Sequence, residues 1–175
     1  MRKRTKVLLL RLSDNLERLS KMRVIFLDID GVLNSEEWDK YVQSFTYGAR
    51  FNSCYLLSQE MILRLQNVVF QTNAEIILTS SWRTNERAMD ALRRQLSLYH
   101  LSIRDSTVSY AYGSRADEVK LWIESHSNVT SYAIVDNDDD GFTQDKILAA
   151  HFVQTTYAQG LTPEKAEKII EILGQ

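Results

Sequence analysis

The chain has 175 residues, 44% of them hydrophobic and 25% charged, which is the length and composition of one soluble globular domain. Its 21 Lys and Arg nearly balance its 23 Asp and Glu, which argues against a broadly basic surface, and a single cysteine, Cys54, excludes an internal disulfide. His100, His126 and His151 lie far apart without metal-ligand spacing, so no zinc site is expected, and a reducing cytoplasm is the expected compartment.

Residues 1–21 form a basic N-terminal extension, with seven Lys or Arg against Asp14 and Glu17, and the rest of the chain is acidic. Arg11 interrupts the apolar run after four residues, too early for a secretory signal, so neither export nor a membrane span is expected. Leu9, Leu12, Leu16 and Leu19 have helical spacing. The segment has three open uses: packing on the domain or a second copy, contact with a polyanion, or a loose extension. The oligomeric state stays open with it.

From residue 22 onward strands and helices alternate. Strands are predicted at Arg23 to Asp28, Glu75 to Thr79, Thr107 to Tyr110, Tyr132 to Asp136 and His151 to Gln154. Most are short apolar runs, as strands covered on both faces of a parallel sheet should be. A helix is predicted after Ser58, with Ile62, Leu65 and Val69 on one face, another after Ser114, whose Asp117 completes a capping pattern, and a last one opening at Thr162 and Pro163. This order predicts one α/β domain over residues 22–175, a Rossmann-like three-layer α/β/α arrangement around a central parallel sheet. Neither connection that could carry an insert is long enough for a separate cap domain. The segment at about residues 35–57 is rich in aromatics (Trp38, Tyr41, Phe45, Tyr47, Phe51, Tyr55) and is expected to form at most a small lid.

Ligands of such sheets bind beyond the carboxyl ends of the strands. The strand "VIFLDIDGVLN" ends in Asp28 and Asp30, "EIILTSSWR" in Thr79 and Ser80, and "YAIVDNDDD" in Asp136 to Asp140. Carboxylates gathered on one edge repel one another unless a cation neutralises them, and hard oxygen donors favour magnesium. The acidic run also opens like an EF-hand loop, but Ile147 stands where that loop needs its final Glu, so calcium is not expected there.

These motifs, in this order over about residues 22–160, resemble the haloacid dehalogenase superfamily of phosphohydrolases, and look most like its capless nucleic-acid-repair phosphatase-like branch. The resemblance implies that Asp28 is the nucleophile, forming an aspartyl-phosphate, and that Asp30 is the general acid and base. It implies Mg2+ held by Asp28, the Asp30 main-chain carbonyl and Asp136, with Asp140 holding a metal-bound water and Thr79 on a phosphoryl oxygen. The family's basic residue falls on Arg115, in the first turn of a helix, in preference to Lys120. Asp138 and Asp139 are expected to be solvated turn residues, and Asn137 stands where some members carry another Asp. Gly31, Asn34, Ser80 and Arg83 complete the set as expected substrate-binding residues. Asp30 itself distinguishes phosphatase or mutase chemistry from dehalogenation, in which the leaving halide needs no proton.

The expected activity is magnesium-dependent hydrolysis of phosphomonoesters, on a phosphorylated small molecule, a nucleotide or a nucleic-acid end. Aromatics of the lid segment, with Arg50 and Arg83, are candidate contacts to bases and neighbouring phosphates. The alternatives are a phosphotransferase and a non-catalytic phosphate- or nucleic-acid-binding partner in a repair assembly.

Overall fold

Strand β1 (Met22–Leu27) lies at the centre of the sheet, and from Val24 to Leu27 it has no exposed surface. The computed structural model describes residues 21–45, 55–109 and 113–174. The N-terminal leucines, Tyr47, Arg50, Phe51 and Tyr110 lie outside them.

Four more strands, β2 (Glu75–Leu78), β3 (Ile103–Ser106), β4 (Val129–Asp136) and β5 (Phe152–Gln154), join β1 in a five-stranded parallel sheet of order β3-β2-β1-β4-β5. Helices α1 (Glu36–Phe45), α2 (Gln59–Thr72), α3 (Glu86–Ser97), α4 (Arg115–Glu124), the short α5 (Lys146–Ala149) and α6 (Pro163–Gly174) make the connections. Alternation along β1 divides the core. Ile25 and Leu27 pack with α2, α3 and α6, through Leu65, Leu92 and Ile169, whereas Val24 and Phe26 pack with α4, through Val119 and Trp122. This is the expected three-layer architecture, and no separate cap is present among the described residues.

The predicted helix starts at Ser58, Ser114 and Thr162 are all found, and Ser114 and Asp117 form the full reciprocal capping box. Three elements differ from expectation. The third strand runs over Ile103–Ser106 instead of starting at Thr107. It is an edge strand whose Arg104 and Asp105 are exposed, with Arg104 ion-paired to Glu75 at 2.7 Å, so it lacks the continuous apolar run of a central strand. Helix α3, not anticipated, buries Ala88, Met89, Leu92 and Leu96 and is capped by Asn85, which accepts from the Ala88 N–H at 3.2 Å. Helix α1 occupies the first half of the aromatic segment and is tied to the chain after it by the Trp38 indole, which donates to the Leu56 carbonyl at 3.1 Å.

Candidate active site

Register assembles the strand-end residues. Leu27 pairs with Leu78 on one side and Val135 on the other, so the next residues, Asp28, Thr79 and Asp136, stand level across three adjacent strands. Two ladder bonds continue to that level: Asp28 N–H to the Val135 carbonyl and Thr79 N–H to the Leu27 carbonyl, both 2.9 Å. The chain steps from β1 through β2 to β3 on one side and places β4 and β5 on the other, so the switch point lies between β1 and β4, where Asp28 and Asp136 face one another.

Both carboxylates are out of water, Asp28 at 2% and Asp136 at 0% exposure. Helix α4 aims its first residue at them: Arg115 Nη1 stands 2.5 Å from Asp136 Oδ2 and 3.2 Å from Asp28 Oδ1. Burial, and then the neighbouring Asp136 charge, push the Asp28 carboxyl up to about 7, against the pull of Arg115 and a hydrogen bond from Ser80. Burial likewise raises Asp136, with Arg115 opposing it. Burial works against the Arg115 charge, but the two carboxylates outweigh it and hold the guanidinium ionised. One positive charge thus serves two buried carboxyls. Asp28 Oδ1, although within ion-pair reach of Arg115, accepts no hydrogen bond among the described residues.

Asp30 lies just past the strand and is fixed from two directions. Asn34 Nδ2 donates to Oδ1 and Trp82 Nε1 donates to Oδ2, each at 2.8 Å. Asn34 is itself oriented by the Gly31 N–H, which donates to its Oδ1 at 2.8 Å. Gly31 has φ +73°, and a Cβ there would meet Asn137 Cγ at 2.8 Å, so this turn needs glycine on both counts. Thr155 Oγ1 holds the Gly31 carbonyl at 2.6 Å.

Thr79 and Ser80 are buried at the end of β2. Arg83 is buried too: it donates to the Thr79 carbonyl and pairs with Glu118 Oε2 at 2.7 Å, with side-chain exposures of 8% and 4%. Thr107 Oγ1 donates to the same Glu118 oxygen at 2.9 Å. Arg83 therefore links the Thr79 turn to α4, with both of its terminal guanidinium nitrogens engaged by protein partners. Lys120, the other basic candidate, pairs with Asp145 at 2.9 Å, away from Asp28.

Beyond Asp136 the acidic run turns to the backbone. Asp138 N–H donates to Asp136 Oδ1 at 2.9 Å, Asp139 accepts from Thr143 N–H at 2.8 Å, and Asp140 Oδ2 accepts from Arg115 N–H at 3.1 Å. The exposed Asp140 thus holds the start of the helix that carries Arg115.

Among the described residues no three His, Cys, Asp or Glu side chains form a metal cluster. The donor set expected here has only two side chains, Asp28 and Asp136, with a main-chain carbonyl as its third member. Two buried carboxylates sharing one cation, one oxygen of which lacks a hydrogen-bond donor, fit a hard divalent cation such as magnesium.

Sequence reasoning singled out neither Trp82 nor Glu118 as functional. A tryptophan after a strand reads as core, and an acid in the first turn of a helix reads as dipole-compensating. A signal for Glu118 was present: it shares the inward stripe of α4 with Val119 and Trp122.

A parallel α/β sheet with Asp, Thr and Asp level on three neighbouring strands, a second Asp after the first and an Arg facing them defines the haloacid dehalogenase class. Residues 24–166, more than four fifths of the chain, match the family described as the HAD domain in Swiss Army Knife RNA repair proteins, and the chain belongs to that family. No curated protein and no solved structure gave a match.

Proposed function

We propose that the protein is a magnesium-dependent phosphomonoester hydrolase that removes terminal phosphates from nucleic acids, RNA ends in particular. The observation that carries this reading is the pair of buried carboxylates, Asp28 and Asp136, facing Arg115, with Asp30 held beside them. The family match supports the RNA-end substrate.

In this reading an Asp28 oxygen attacks phosphorus, the ester P–O bond breaks, and Asp30 gives its proton to the leaving oxygen. Asp30 then takes a proton from water as the water oxygen attacks phosphorus, which frees Asp28 and inorganic phosphate. Arg115 and Thr79 stabilise the charge on the phosphoryl oxygens, where a guanidinium and a hydroxyl fixed in advance act most strongly. Magnesium would be held by Asp28, Asp136 and the Asp30 carbonyl, with a water that Asp140 would hold, and would draw charge from the phosphoryl group. Gly31 and Ser80 shape the pocket wall, while Asn34 and Arg83 act through Asp30 and the Thr79 carbonyl.

The test is phosphate release from oligoribonucleotides bearing 3′- or 5′-terminal phosphates, with magnesium and with chelator. Asp28→Asn is expected to lower magnesium-dependent turnover by roughly 10³-fold or more while retaining the fold by circular dichroism. Full activity in that variant, or in chelator, overturns the reading; ends that bind without release of phosphate place the protein among non-catalytic binders.

A further inference from the structure

Resting on the hydrolase reading above, we propose that Trp82 is a positioning residue for the proton-transfer step: its indole N–H fixes the Asp30 carboxylate for the leaving oxygen. Trp82 is 52 positions away in sequence, on the turn after β2, and only 6% exposed. It is held at both its backbone and its ring. Its main-chain N–H donates to Ser80 Oγ at 3.4 Å, and its ring meets the Tyr55 ring edge-on, with centroids 5.4 Å apart at 80°.

The chemistry of this cradle is one-sided. An indole N–H donates and cannot accept. Asn34 turns its NH₂ towards Asp30 because its carbonyl oxygen is taken by the Gly31 N–H. Both Asp30 oxygens therefore face fixed donors, the carboxylate plane is set by two groups from separate segments, and neither partner can accept a proton from it. A proton carried by Asp30 is left for the substrate. The Trp82 bond also couples the β1 and β2 motifs, so that Asp30 is placed relative to Thr79 and Ser80. Fixed geometry of this kind matters most for groups that act in the transition state.

Leaving-group dependence separates this role from a packing role. A 4-nitrophenolate departs without protonation, whereas the oxygen of a nucleoside phosphate needs a proton as it leaves. Trp82→Phe keeps a ring and removes the donor. In the first-turnover release of the leaving group, the only step that depends on it, the rate with a nucleoside-terminal phosphate is expected to fall about tenfold or more, and that with 4-nitrophenyl phosphate by no more than about threefold. In an Asp30→Asn background the same change is expected to cost no further activity on the nucleoside phosphate.

If Trp82→Phe fails to fold, site-specific replacement of Trp82 by benzothienylalanine, which keeps the bicyclic shape without the N–H, carries the same expectation. Equal losses on the two substrates in first-turnover release of the leaving group, or full additivity with Asp30→Asn, overturn the positioning role while leaving the hydrolase reading intact. A wild-type protein inactive on both substrates overturns the hydrolase reading and this proposal with it.

Discussion

The two acidic segments look alike in sequence and behave differently. In "DIDG" both carboxylates lie at the candidate site: Asp28 is buried against Arg115, and Asp30 is held by donors from Asn34 and Trp82. In "DNDDD" only Asp136 is buried at the site; Asp138 donates its main-chain N–H to Asp136, and Asp139 and Asp140 accept from backbone N–H groups that shape the loop and start α4. What separates them is desolvation. A carboxylate excluded from water acts through its charge and its partners, whereas one at the surface stabilises local backbone and is screened.

That contrast breaks most easily at Asp136. Asp136→Asn removes one of the two buried carboxylates of the proposed magnesium site and is expected to lower magnesium-dependent turnover by about 10²-fold or more, an effect that raised magnesium partly recovers. Turnover equal to wild type would mean that Asp136 belongs with the loop acids. A second effect is structural. Glu118→Leu leaves the Arg83 guanidinium buried without its partner and is expected to cost about 3 kcal/mol of stability, read from urea denaturation. A cost near zero would show that Arg83 finds another partner.

The raised carboxyls of Asp28 and Asp136 carry a pH signature. Each binds its proton more tightly folded than unfolded, so their contribution is complete below about pH 4; the Asp28 share is lost as pH rises through about 7, and the Asp136 share is lost in the same direction as that carboxyl ionises. Melting temperature in chelator is therefore expected to fall from pH 5 to pH 8, and magnesium is expected to raise it more at pH 8 than at pH 5. A melting temperature that climbs over that range in chelator contradicts the buried-pair picture. The smallest change is expected at Asp139, whose carboxylate meets Thr143 at the surface. Asp139→Ala should hold turnover within about twofold of wild type. A large loss there would erase the distinction between the two segments.

The apolar runs ending in Asp28, Thr79 and Asp136 were legible in the sequence because strands covered on both faces declare themselves by composition, and because parallel pairing brings their carboxyl ends to one edge. So were the helix starts at Ser114 and Pro163, which depend on bonds within four residues. The edge strand β3 was misplaced by four residues, since a half-exposed strand carries charges that a loop also carries.

What only the tertiary structure decided is which polar groups meet across long separations. Arg115 reaches Asp28 and Asp136, Trp82 reaches Asp30, and Glu118 meets Arg83 and Thr107 because register and the packing of α4 bring them together. Residue types and local spacing fix the menu of strands, caps and acids. Burial and orientation, which assign each acid to the site or to the loop, are properties of the assembled sheet and its helices.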